Sequence, residues 1–77
     1  MRAVKVRNRV RQLRFAAGEL TQLQLAEWVG VTRQTIIAIE GDKYLPSLEL
    51  AFRIAHAFNR RLDEVFEYVG DRPIRTG

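Results

Sequence analysis

Arg33, Gln34 and Thr35 stand in a row directly after Thr32, and an apolar run, Ile36-Ile37-Ala38-Ile39, follows them. On a helix this order divides by face. Ile36 and Ile39 are spaced to point inward, while Arg33 and Gln34 stand at the tip. Ile37 and Ala38 lie one turn later on roughly their side, because residues four apart are neighbours. Those side chains suit the edges of base pairs. Arginine donates two bonds to guanine O6 and N7, glutamine pairs bidentately with adenine, and small apolar groups touch the thymine methyl. The bland alternative is an ordinary solvated first turn, so the surrounding elements have to decide.

The helix before it carries strong local signals. In "LTQLQLAEWVG" Thr21 and Gln24 form a capping box, and Leu20 and Leu25 occupy the two positions of a hydrophobic staple. Leu25, Ala26 and Val29 face inward by spacing, and Gly30 stops the helix. Thr32 then caps the next helix, so "GVT" is a three-residue turn between two short helices, the composition of a helix-turn-helix. In that motif the second helix enters the major groove with its N-terminal residues against the bases. Thr32, Thr35 and the start of the earlier helix at Gln22 offer hydroxyl, amide and backbone donors to phosphates.

Three further helices are expected around this pair, in an all-α domain of five helices. The first runs over 8–17, with Asn8 as N-cap and Gly18 as its stop. The preceding "RAVKV" alternates like a strand but has no evident partner, so 1–7 reads as a basic arm or a dimer edge. Ser47 caps the fourth helix, in which Leu48, Ala51, Ile54, Ala55 and Phe58 recur at three- and four-residue steps and Asn59 is the stop. The fifth spans 62–69, with Asp63 and Glu64 in its first turn where the helix dipole favours acids. The domain is thus placed at 8–69 and a flexible tail at 70–77.

Charge and composition narrow the function. The chain of 77 residues carries a net charge of +4. Its first acid, Glu19, follows a run that holds Arg2, Lys5, Arg7, Arg9, Arg11 and Arg14. Such a stripe fits a polyanion, and Arg9 is expected on the DNA backbone. There is no cysteine, hence no disulfide and no thiolate metal site. No apolar run approaches the ~20 residues of a membrane span. No signal-peptide pattern is evident, so a cytoplasmic, nucleoid-associated protein is expected. The lone His56 has no partner for a metal, and no nucleophile constellation or phosphate-binding glycine loop is present. A metal, a cofactor, a small-molecule ligand and enzyme activity are therefore not expected. A chain below ~80 residues has a small core and often leans on a partner. Val65, Phe66, Tyr68 and Val69 exceed what one small helix needs for docking, and are candidates for a homodimer seam. Leu23, Trp28 and Phe52 are further apolar residues on helix faces. Leu23 and Trp28 could form a patch for a protein partner, and Phe52 is expected to be partly buried.

In order and spacing, L-T-Q, L-A, G-V-T-R-Q-T-I, I-E, K-Y-x-P-S-L and R-I-A closely resemble the lambda-repressor-like, Xre/Cro family of helix-turn-helix regulators, over about residues 8–66. The resemblance implies a five-helix domain that binds operator DNA as a two-fold homodimer. By that likeness, Arg33, Gln34 and Ala38, with Ile37 close by, fall on base contacts. Gln22 and Thr35 fall on phosphate contacts, and Lys43 and Tyr44 lie near the backbone. Arg14 and Glu40 fall on a structural ion pair. Departures are the one-residue-longer "AAGELTQ", Arg61 in place of a serine cap, and "EGDK", which leaves the left-handed residue at Gly41 or Asp42. The reading that results is a DNA-binding transcriptional regulator, a repressor acting at an inverted repeat. An antitoxin-like interaction module and a weakly specific nucleoid binder are its alternatives.

Overall fold

Apolar residues at helical spacing set most of the architecture, and local caps set its boundaries. The computed structural model describes residues 5–70. In chain order the elements are β1 (Val6–Asn8), α1 (Val10–Ala16), α2 (Gln22–Val29), α3 (Arg33–Glu40), α4 (Leu48–Ala57), α5 (Leu62–Val65) and β2 (Phe66–Tyr68). The five helices enclose one core, in which Val10, Leu25, Ile36, Ile39, Ile54 and Val65 are fully buried. Residues 71–77 of the expected tail and the first four residues of the expected arm lie outside the described residues.

The helix starts follow the chemistry of their first residues. Thr21 Oγ1 accepts from the Gln24 N–H at 3.0 Å, and Gln24 Oε1 accepts in turn from the Thr21 N–H at 2.9 Å. Thr32 and Ser47 accept from Thr35 and Leu50 N–H groups in the same way. Each such cap satisfies a donor that the helix leaves orphaned, and is worth ~1 kcal/mol. Gly30 closes α2 at φ 78°, a conformation that a side chain disfavours. In "EGDK" the left-handed residue is Asp42, at φ 58°, whereas Gly41 stays at −87°.

The two ends of the domain depart from the sequence expectation. The described end of "RAVKV" has a partner. Its last residue, Val6, begins β1, which pairs antiparallel with β2, matching Val6 to Tyr68, Arg7 to Glu67 and Asn8 to Phe66. The domain therefore includes residues assigned to 1–7. The fifth helix does not run over 62–69 either. It ends at Val65, and Phe66 turns extended at φ −121°, ψ 139°. The residues after Val65 exchange helical hydrogen bonds for cross-strand ones, including Val69 N–H to the Lys5 carbonyl at 2.7 Å. At the start of α1, Arg9 rather than Asn8 takes the cap position. Asn8 acts from one residue further out. Its Oδ1 accepts from the Val10 N–H at 3.2 Å, and its Nδ2 donates to the Ile39 carbonyl at 2.9 Å.

Two positions on α4 also differ. Leu48, read as part of the core stripe, is exposed, and Leu50 is buried in its place. The Ser47 cap makes Leu48 the first helical residue, and there its side chain extends past the edge of the core. Phe52, expected to be partly buried, is exposed as well.

Asn8 joins β1, α1 and the end of α3 through a single side chain. Asn8→Ala is expected to lower unfolding free energy by about 1–3 kcal/mol, since it removes two hydrogen bonds worth about 0.5–1.5 kcal/mol each, the one to the Ile39 carbonyl and the one from the Val10 N–H. Urea denaturation of the two chains measures it, and an unchanged midpoint would remove Asn8 from this role.

Candidate nucleic-acid interface

The turn between α2 and α3 fixes how the second helix is presented. Gly30 and Val31 N–H groups both reach the Ala26 carbonyl, at 2.9 and 3.0 Å, and Val31 packs against the core. With Ile36 and Ile39 fully buried, α3 is anchored along one side. Its opposite side begins with Arg33 and Gln34, both exposed. Among the described residues neither side chain has a hydrogen-bond or ion-pair partner. Thr35, Ile37 and Ala38 are half-buried on the flank of the same surface. The Thr32 and Thr35 hydroxyls lie 3.1 Å apart. One of their two protons joins them, and the other is free for an outside acceptor.

The base of α3 is tied down by an ion pair. Arg14 Nε donates to Glu40 Oε2 at 2.6 Å and its Nη2 to Oε1 at 3.0 Å, while Nη1 donates to the Leu20 carbonyl at 2.9 Å. Both side chains are only 8% exposed. Gln22 Nε2 adds a third bond to the carboxylate, at 3.2 Å. The first residue of α2 is thus held against the last residue of α3, with the second amide N–H of Gln22 left over. Such a bidentate pair restricts both partners to one geometry.

Of the residues proposed from sequence, Gln22, Arg33 and Ile37 line one cleft of about 610 Å3 together with the Arg14–Glu40 pair, between the end of α1, the start of α2 and the face of α3. Arg11 and Phe15 line the same cleft. The Arg11 guanidinium stands 5.6 Å from the centre of the Phe15 ring, which holds the cation in place without neutralising it. Sequence reasoning counted Arg11 in the basic stripe but gave it no contact. The available signal was its helical spacing, three residues before Arg14. Arg9 is not brought here. It pairs with Glu67 at 3.2 Å, beside Arg7 and Val69. Lys43 and Tyr44 are exposed on the loop after α3.

The expected seam residues separate. Val65 is fully buried and Phe66 is half-buried against the core, whereas Tyr68 and Val69 are exposed. Among the described residues no group of three metal-ligating side chains gathers, and no helix is long and apolar enough to cross a membrane.

A buried, capped helix that presents unpaired arginine and glutamine from its first turn defines a helix-turn-helix DNA-binding domain. The helix-turn-helix family model matches residues 10–65. A transcriptional regulator of this type in Methanocaldococcus jannaschii, itself uncharacterised, is 48% identical over 66 residues, covering 86% of this chain and 98% of the relative. One from Bacillus subtilis is 48% identical over 61 residues, 79% of this chain and 91% of its own. One from Methanothermobacter thermautotrophicus is 53% identical over 62 residues, 79% of this chain and 88% of its own. The chain belongs to the Xre/lambda-repressor-like helix-turn-helix family of DNA-binding transcriptional regulators. That family consists of regulators and not of enzymes.

Removing one partner of a buried ion pair typically costs ~3–5 kcal/mol, because the other charge is stranded. Arg14→Ala and Glu40→Ala are each expected to lower stability by about that much. Replacing both residues by methionine should restore much of the loss. Thermal unfolding followed by circular dichroism distinguishes these outcomes. Single variants that melt like the wild type would show that the pair carries no structural load.

Proposed function

We propose that the protein is a sequence-specific regulator of transcription, a repressor that occupies an inverted-repeat operator as a homodimer. Each copy lays α3 in the major groove of double-stranded DNA. The observation that carries the reading is the division of α3, with Ile36 and Ile39 locked in the core and Arg33 and Gln34 exposed without partners. Arg33 and Gln34 read base edges, and Ile37 and Ala38 meet thymine methyl groups. Gln22, Thr32, Thr35, Lys43 and Tyr44 contact phosphates and sugars and set the register. Arg11, fixed over Phe15 beside that helix, takes the backbone contact first assigned to Arg9. Two-fold symmetry places the recognition helices about 34–36 Å apart, one turn of DNA.

Selection from a random DNA library at ~150 mM salt tests this directly. An enriched inverted repeat with half-sites one turn apart is the expected result. DNA retained without a consensus would replace the proposal with a nucleoid binder, since non-specific affinity is almost all counterion release. No retention at all would shift it to a protein-interaction module, in which exposed Leu23 and Trp28 meet a partner such as a toxin.

Two substitutions separate reading from holding. Arg33→Ala and Gln34→Ala are each expected to lose about 1–3 kcal/mol of discrimination at one base pair, with the melting temperature unchanged. Arg11→Ala should weaken binding to all sequences alike and reduce the slope of log K against log salt by about 0.9. Fluorescence anisotropy across a salt series reads both effects. A sequence-dependent loss at Arg11, or a uniform one at Gln34, would reverse their roles.

A further inference from the structure

Two large apolar side chains stand exposed on the cleft beside α3. Leu23, the second residue of α2, is 52% exposed, and Phe15, near the end of α1, is 50% exposed. DNA contact gives Leu23 no part and uses Phe15 only as the ring beneath Arg11. Phosphates and sugars are bound by cations, hydroxyls, amides and N–H groups, and the leucine side chain is none of these. Trp28, further along α2, lies at a separate depression with Arg53 and His56. Leu23 and Trp28 therefore do not form one patch, and the surroundings of Leu23 are those of the cleft.

The charged groups of the cleft set the sign of its occupant. Arg14 and Glu40 cancel in their ion pair. Of the other charged residues that line it, Arg11 and Arg33 stand against Glu19 alone. The Thr21 cap takes up the Gln24 N–H, which leaves the Gln22 and Leu23 N–H groups as orphans at the start of α2. Both features favour an anion. The cleft thus sets cations and free N–H groups beside an exposed leucine and an exposed phenylalanine. The backbone of a duplex satisfies the first set and leaves the second idle. An acidic polypeptide segment satisfies both. Its carboxylates take the places of phosphates, and an aliphatic or aromatic side chain buries against Leu23 and Phe15. An apolar centre within a polar rim is the common anatomy of a protein interface.

We infer that this cleft is the docking site of an acidic protein segment with an apolar anchor, held by the same residues that hold DNA. The inference rests on the DNA-binding reading above and adds how that surface is vacated. The segment engages Arg11, Arg33 and the start of α2, so it and the duplex exclude one another. Leu23 tells the two ligands apart, because it serves only the protein.

Selection of phage-displayed random peptides on the immobilised full chain tests the site. The best binder is synthesised and titrated by fluorescence anisotropy, beside random-sequence duplex DNA. The expected peptide sets Asp or Glu around a leucine or an aromatic residue, and the duplex displaces it. Leu23→Gln, at a position already exposed, is expected to weaken the peptide at least about 10-fold, as the loss of an interface anchor does. It should leave the affinity for duplex unchanged. Arg33→Ala should weaken both ligands, and Trp28→Glu neither. Circular dichroism checks that each variant folds. A library that yields no binder overturns the inference, as does a peptide that binds together with the duplex or ignores Leu23→Gln. A scrambled peptide that binds equally well also overturns it, since charge alone then suffices. A Leu23→Gln variant that loses duplex as far as peptide, or loses affinity for single-stranded DNA, assigns the leucine to nucleic acid instead. All of these leave the regulator reading standing. A wild type that binds the peptide through Leu23 and Arg33 but binds no duplex supports the docking site and sinks the regulator reading alone.

Discussion

The contact between Arg14 and Glu40 governs the presentation of the recognition helix. Glu40 ends α3, where the helix dipole is negative and a carboxylate is unwelcome. It is also almost fully removed from water. Only a cation with matching geometry makes that position tenable, and the arginine fork supplies two parallel bonds to it. The third arm of the guanidinium holds the Leu20 carbonyl, just ahead of α2, and Gln22 reaches the same carboxylate. One charge thereby fixes three helices against each other. A methionine pair of similar volume could stabilise the fold as well, but it would not dictate the angle of α3.

That constraint lets the surface divide its work. Around α3 the cations are unpaired or stacked on an aromatic ring, and polar groups that can read bases are left free. Around the start of α4 and on β2 the charged side chains are paired, and large apolar ones stand exposed among them. The two regions meet at loop 41–47, where Asp42 takes the left-handed conformation that turns the chain from one to the other.

What was legible in the sequence was what local chemistry decides. The capped starts of α2, α3 and α4 are written in Thr21, Thr32 and Ser47, and the inward face of α3 in the spacing of Ile36 and Ile39. These depend on neighbours within one turn. The strand pairing was not legible, because Val6 and Tyr68 are distant in sequence and three-residue strands leave almost no periodic signal. Phe66, Tyr68 and Val69 read equally well as helix or strand until β1 is known to lie alongside. The exchange of Leu48 for Leu50 has a different origin. Both are leucines at a helix start, and only the depth of the core beneath the first turn tells them apart. On the candidate site, residue type singled out Arg33 and Gln34, which the structure leaves exposed. Arg9 and Arg11 look alike in a run of alternating arginines, and it is Glu67 on one side and Phe15 on the other that give them different surroundings.

The antiparallel sheet has a further consequence for how the chain acquires its shape. Helices α2 and α3 are joined by a three-residue turn, so their contacts close a short loop at little entropic cost. The bond from Val69 N–H to the Lys5 carbonyl closes a loop that encompasses the whole helical body. Such a closure is rewarded only after the intervening helices have collapsed and brought its ends together. The sheet therefore forms late and opens early, as a clasp fastened over a body that is already assembled. Its two strands then belong to the least persistent part of the native ensemble, with amides that exchange with solvent before those of α2 and α3. Fraying where the ends of the domain meet is thus separated from α2 and α3, whose contacts close locally.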